Sequence, residues 1–189
     1  MSQTLMQPDE FLDRLSELFA THAEENVMGH RLSNADHMLQ AAAAAATSDA
    51  ADHLIAASLL HDIGHWMHSG PEDALEKGHD DRHEEVAADY LAPYFNELVI
   101  SPILLHVAAK RYMCAVKPEY FEALSSGSVR TLELQGGPMD AREVEEFEAM
   151  PGYQDAVAMR HWDEYGKVPG LEVPDFDSYR TVLRGEMKE

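Results

Sequence analysis

The sequence predicts an all-α bundle, and three observations carry that prediction. Apolar residues recur at spacings of three and four along most of the chain. No segment alternates convincingly with period two. Prolines or capping residues stand where the helical runs begin. At 189 residues the chain has the length of one ordinary domain, enough to bury a core without disulfides or a structural zinc. Residues 1–189 are expected to form a single domain whose N- and C-terminal helices are peripheral.

The elements follow in order. Pro8 suits a first helical position, and Phe11, Leu12, Leu15, Leu18 and Phe19 form one apolar face. Asn34 is a candidate cap for a second helix that carries His37, Met38 and the run Ala41 to Ala46. Alanine favours helix and lets a neighbour approach closely. Asp49 or Asp52 can start a third helix through Leu54, Ile55, Leu59 and Leu60, ending near Gly64. The stretch from His65 to Lys77 reads as loop, broken by Ser69-Gly70-Pro71. Helices are expected from about Asp81 to Phe95 and from about Leu98 to Ala115, with Pro102 tolerated in the first turn of the latter. Pro118 opens a short helix to Leu124. The Ser- and Gly-rich stretch from Ser125 to Pro138 reads as irregular. Asp140 caps a helix to about Met150, Pro151-Gly152 breaks it, and a further helix runs from Ala156 to Tyr165. Asp175 or Asp177 can begin the last one.

Charge and composition narrow the function. Acidic residues number 35 against 14 basic, a formal charge of -21. That field opposes nucleic acid and anionic membranes as partners, but not a small anion that meets a local positive centre. The one cysteine, Cys114, permits neither an intramolecular disulfide nor a cysteine-based zinc site, and reads as a reduced packing residue. The N-terminus lacks the basic start and apolar run of a signal peptide, and no stretch approaches a membrane span. A cytoplasmic protein is expected.

Among eleven histidines, His61-Asp62 closes an apolar run, Leu-Ile-Ala-Ala-Ser-Leu-Leu-His-Asp. Burying such a pair is costly unless something compensates it, and a metal does so directly; a polar helix end is the plainer alternative. His37 precedes the pair, and His83, His106 and Asp163 follow it. This order, H…HD…H…H…D, resembles the HD-domain superfamily of helical metal-dependent proteins, over about Asn26 to Gly170. The resemblance implies that His37, His61, Asp62 and Asp163 hold one metal. It implies that His83 and His106 hold a second, with Asp62 bridging. The remaining histidines, His22, His53, His68, His79 and His161, lie outside the pattern and default to solvated surface.

Within that superfamily the chain is similar to the mixed-valence di-iron oxygenases, in particular the phosphonate-cleaving branch. The stretches HDIGH, HVAAKRYMCA, SSGSVRTLELQGGPM and MRHWDEYGKVPG carry this closer resemblance. It implies two irons as Fe(II)/Fe(III), O2 as co-substrate, and His65, Lys110, Ser128 and Thr131 as contacts to the phosphonate oxygens. Read without the family, Lys110 is an ordinary helix lysine, and Ser128 and Thr131 are turn or cap residues. The implied reaction is O2-dependent C–P cleavage of a small organophosphonate bearing a 1-hydroxyl, which a separate phosphonate hydroxylase would supply. One departure bears on the substrate. The aminophosphonate enzyme has a tyrosine and a glutamate where this chain has Val27 and His30. The carboxylate for a primary ammonium is therefore missing. A trimethylammonium needs none and prefers aromatic faces; Met28, Tyr153 and Tyr165 are candidates to line its pocket. The expected substrate is (R)-1-hydroxy-2-(trimethylammonio)ethylphosphonate, giving glycine betaine and phosphate. The alternatives are the same chemistry on 2-amino-1-hydroxyethylphosphonate, a metal-dependent nucleotide phosphohydrolase, and a non-catalytic binding module.

Overall fold

Eleven α-helices and one 3-10 turn make up the ordered elements of the computed structural model, which describes residues 5–23, 32–67 and 80–188. They are α1 (Pro8–Thr21), α2 (Asn34–Thr47), α3 (Asp52–Leu60), α4 (Gly64–Met67), α5 (His83–Leu91) and α6 (Glu97–Val116). Then come α7 (Pro118–Ala123), α8 (Ser126–Leu134), α9 (Ala141–Glu148), α10 (Tyr153–Tyr165) and α11 (Arg180–Glu186). Among the described residues there is no strand; an isolated bridge pairs Phe95 with Met187.

The 20-residue α6 is the axis of the bundle. It packs against α3, α5 and α10, while α2 lies against α3 and α10. By length and composition alone α6 could cross a bilayer, which the sequence reading did not anticipate; here it is the central helix, with Val99, Ile103, Ala109 and Met113 buried. The apolar face of α1 (Phe11, Leu12, Leu15 and Phe19) joins Met38, Leu59, Leu60, Leu91, Phe95, Met159 and Leu183 in one core. Burial of each such side chain stabilises by roughly 1.5–3 kcal/mol. Ala41, Ala42 and Ala45 are wholly buried, so the alanine run does serve close helix approach. Cys114 is buried and unpaired, as expected, and burial pushes its thiol up.

Several boundaries differ from expectation for identifiable reasons. Ser33, not Asn34, caps α2: its hydroxyl accepts from Asp36 N, and Asp36 reaches back to Ser33 N in a reciprocal capping box. α3 ends at Leu60, so His61 and Asp62 sit in a turn, and Gly64 starts a further short helix instead of ending a long one. α5 is shorter than expected and begins at His83, leaving Asp81 ahead of it. Pro102 is the sixth residue of α6 and lies beyond the first turn. The largest correction concerns 125–138. Ser126–Leu134 is a helix, capped by Ser125, whose hydroxyl accepts from Ser128 N. Its Ser and Gly residues read as loop formers, but a serine cap and tertiary packing outweigh that propensity. The consequence is functional: Ser128 and Thr131 are three apart on a helix and share one face. The loop reading of His65 to Lys77 gives way to α4 at its start; residues 68–79 lie outside the described set.

Candidate metal centre and anion pocket

Four helices and one turn bring the six candidate ligands to one point. His37 comes from α2, His61 and Asp62 from the turn after α3, His83 from the first position of α5, His106 from mid-α6 and Asp163 from α10. All but Asp62 are buried, and Asp62 opens onto a cavity. Two glycines make the convergence possible. A Cβ on Gly64 would lie 2.0 Å from the His83 carbonyl oxygen, so only glycine lets α4 approach α5. A Cβ on Gly166 would meet the His37 carbonyl oxygen at 2.9 Å.

The ring orientations are fixed from behind. The Nδ1–H of His37 donates to the Gly166 carbonyl at 2.7 Å, that of His61 to Ser58 at 2.9 Å and that of His106 to Ile103 at 2.7 Å. His83 donates its Nδ1–H to Asp81 Oδ1 at 2.8 Å. A carbonyl oxygen cannot donate, so each of these Nδ1 atoms carries a hydrogen and each Nε2 is left as the donor atom for a metal.

The four Nε2 atoms face two carboxylates. His37 Nε2 is 3.2 Å from Asp163 Oδ1 and 3.8 Å from Asp62 Oδ2. His61 Nε2 is 3.5 Å from Asp62 Oδ1 and 3.8 Å from Asp163 Oδ2, and it is buried without a hydrogen-bond partner. His83 Nε2 and His106 Nε2 also approach Asp62 Oδ1, at 3.4 and 3.6 Å, and lie 3.0 Å from each other. Asp62 therefore adjoins two groups: His37, His61 and Asp163, and His83 with His106. Two carboxylates and four imidazole nitrogens, one of which (His61 Nε2) is buried without a partner, fit a pair of cations held by N and O donors.

Electrostatics point the same way. Burial opposes ionisation of Asp62, yet His61 and His83 hold its carboxyl well below the usual range. Burial likewise opposes ionisation of Asp163, which Arg160 and Lys167 hold well below that range. His106 is held well below the ordinary value by burial and by His83. His83 is instead pushed up to about 10, because Asp62 and Asp81 outweigh its burial. The buried cluster demands positive charge; without metal it draws protons, and metal would displace them.

Beside this cluster lies a cavity of about 380 Å³. Lys110, only 5% exposed, donates from Nζ to Thr131 Oγ1 at 2.9 Å. Thr131 Oγ1 donates to the Ser128 carbonyl, and Lys167 Nζ donates to Ser128 Oγ at 3.3 Å. His65, Lys110, Ser128 and Thr131 all line the cavity. The site is thus two halves: a nitrogen- and oxygen-donor cluster, and a cationic, hydroxyl-bearing wall suited to a small oxyanion.

Sequence reasoning missed three residues of this site. Arg160 is buried, pairs with Asp163 and Glu164, and donates from Nε to Tyr120 OH at 2.7 Å. Its position three before Asp163 on a helix was the available signal. Lys167 was the second, one turn beyond Asp163. Asp81 was the third; it also takes the Nδ1–H of His65 at 2.8 Å. Two expectations for an ammonium pocket fail. Tyr165 is 74% exposed, and Tyr153 packs against Phe147 in a separate cluster. Neither lines the cavity, and among the described lining residues there is no Phe, Tyr or Trp. Val27, Met28 and His30 lie outside the described residues. Of the other histidines, His161 is exposed, whereas His53 pairs with Asp155 and His22 stacks on Trp66; His68 and His79 also fall outside the described set.

Comparison with known proteins adds independent information. The HD domain profile matches residues 28–141. A [1-hydroxy-2-(trimethylamino)ethyl]phosphonate dioxygenase (glycine-betaine-forming) of Leisingera caerulea is 42% identical over 167 residues, covering 88% of this chain and 85% of that protein. A hydroxymethylphosphonate dioxygenase of Gimesia maris is 45% identical over 180 residues, covering 93% and 88%. A protein of Acanthamoeba polyphaga mimivirus is 31% identical over 169 residues, covering 88% and 77%.

Proposed function

This chain belongs to the HD-domain phosphonate oxygenase family, and from that premise we propose that it uses O2 to break the C–P bond of a small 1-hydroxyphosphonate. The observation that carries the proposal is the juxtaposition of the two halves of the site: the His/Asp cluster opens onto the same cavity as Lys110, Ser128 and Thr131. We assign His37, His61, Asp62 and Asp163 to one iron, and His83 and His106, with Asp62 bridging, to the second. A mixed Fe(II)/Fe(III) pair, when bound there, supplies Lewis acidity and the redox partner that O2 needs.

The chain's own residues do the rest. Lys110, which donates to Thr131, meets the phosphonate oxygens, with Ser128 and His65 completing the anion contacts. That wall fixes C1 and its hydroxyl over the metal cluster, converting an encounter into a positioned reaction. Arg160 locks Asp163 by an ion pair from the adjacent turn. The chemistry balances without an external reductant. C1 of the 1-hydroxyphosphonate gives up four electrons on becoming a carboxylate, O2 accepts four, and phosphate leaves.

For the C1 substituent, our first reading is the trimethylammoniomethyl group, giving glycine betaine. It rests on Val27 and His30, which remove the partner of a primary amine. A second reading, hydrogen at C1, is favoured by the cavity lining: Lys110, Arg160 and Lys167 are present, and no Phe, Tyr or Trp stands among the described lining residues. Hydroxymethylphosphonate would then give formate and phosphate. Side-by-side kcat/KM values decide between them. A preference above tenfold for the trimethylated compound supports the first reading, and the reverse supports the second. A preference for the primary amine over both overturns the argument from Val27 and His30.

A further inference from the structure

Resting on the metal assignment above, we propose that Asp81 is a positioning residue that ties the second metal position to the anion-binding wall by holding His83 and His65 with one carboxylate. Oδ1 of Asp81 accepts the Nδ1–H of His83 and Oδ2 accepts the Nδ1–H of His65, each at 2.8 Å. The two rings lie stacked, with centroids 4.0 Å apart and planes 17° from parallel. The Asp81 side chain is 10% exposed, so water competes little for these bonds. One carboxylate thus dictates which nitrogen of each ring carries hydrogen and leaves Nε2 free in two residues that both line the cavity.

The backbone is built for this clamp. Arg82, between Asp81 and His83, adopts a left-handed conformation with φ 49° and ψ 40°, one of two described non-glycine residues with positive φ. A side-chain-bearing residue held there is strained, and the strain persists only where the surroundings enforce it. The Arg82 conformation folds the chain back so that the Asp81 side chain reaches the ring two residues on. Asp80 Oδ1 accepts Arg82 N–H at 3.3 Å, and the Arg82 guanidinium pairs with Glu85. From the other side, Gly64 brings His65 against His83 by allowing α4 to touch the His83 carbonyl. Asp81 belongs to neither proposed contact set, yet both depend on it: a metal ligand and an anion contact share one acceptor.

Asp81→Asn tests this, because an amide of the same shape offers one carbonyl oxygen to two N–H donors. Three readouts apply. Anaerobic Fe(II) titration of metal-free protein against a chelator reports the two metal positions. Hydroxymethylphosphonate binding to redox-inert Zn(II)-loaded protein reports the anion wall without turnover. Ring N–H resonances of the Zn(II) form report the His83 and His65 bonds. We expect the second metal to bind at least tenfold more weakly and the first to be unchanged. Hydroxymethylphosphonate binding should weaken, and a cycle with His65→Phe should be non-additive, since both changes act through one bond. Asp89→Asn, on the exposed face of α5, should alter none of these. The proposal is overturned by unchanged metal and anion affinities in Asp81→Asn, by an additive cycle, or by equal loss of both metals with a lowered Tm. Wild-type protein that takes up one metal would sink the two-metal reading alone. The ring resonances and the anion cycle would still decide the role of Asp81.

Discussion

Replacing Lys110 by methionine should make the protein more stable and a worse binder of anions, and the structure sets both magnitudes. Lys110 is 5% exposed, and its ammonium is held down to about 8 by burial first and by the Arg160 charge second, with Asp163 opposing. Below pH 8 the lysine is charged in folded and unfolded chains alike, so the full cost of burying that charge is present at neutral pH. The gap from the ordinary lysine value corresponds to about 3 kcal/mol. Methionine keeps most of the volume and removes the charge. The loss of the Thr131 hydrogen bond returns roughly 1 kcal/mol of that gain. The metal-free variant should therefore be about 1–2 kcal/mol more stable at pH 7, with Tm higher by roughly 2–8 °C. The difference should shrink as pH rises above 8, where the wild-type lysine sheds its proton in the fold but not in the unfolded chain. Binding moves the other way. A charge-assisted contact of about 1.5–3 kcal/mol is lost, so the phosphonate Kd should rise roughly 10- to 150-fold with iron content intact. Wild-type affinity should itself decline above pH 8 and approach that of the variant. Thermal melts and calorimetric phosphonate titrations between pH 6.5 and 10 are the assays. A variant that is less stable and binds phosphonate as tightly as wild type would refute the reasoning.

Thr131→Val removes the acceptor that steadies Lys110 and should raise KM several-fold, at about 1 kcal/mol, with little change in kcat; steady-state phosphate release measures both. Gly64→Ala places a Cβ within 2.0 Å of the His83 carbonyl oxygen, beyond what a side-chain shift can relieve, and should cost about 3 kcal/mol or more in thermal melts. Arg160→Met breaks the buried ion pair with Asp163, leaving that carboxylate with His37 and Lys167, and should destabilise the metal-free protein by about 3–5 kcal/mol, a loss that metal binding partly restores.

The helical class and most helix positions were legible because periodicity and caps are local: Pro8, Asp140 and Pro118 mark real starts. The stretch 125–138 was not, because a serine-rich helix held by its cap and by packing looks like a loop from composition. The six candidate ligands were legible as an order of residues, but their geometry was not. Nothing in the order H…HD…H…H…D brings four imidazoles around Asp62; that follows from α2, α5 and α6 carrying His37, His83 and His106 to the turn after α3. Arg160, Lys167 and Asp81 escaped because each acts through a neighbour, and charged residues at helical spacing are ordinarily solvated. The aromatic candidates for an ammonium pocket failed because helix phase alone does not say which neighbour a tyrosine meets; Tyr153 meets Phe147.

The most direct test of the central claim follows phosphate and O2 together in one vessel, with iron-loaded protein and a 1-hydroxyphosphonate. Oxidative cleavage at the cluster of His37, His61, Asp62, His83, His106 and Asp163 predicts one phosphate released for each O2 consumed. It predicts no release under anaerobic conditions and none after loading with zinc. Phosphate released at the same rate without O2, or by the zinc-loaded protein, would make the enzyme a hydrolase and contradict the account.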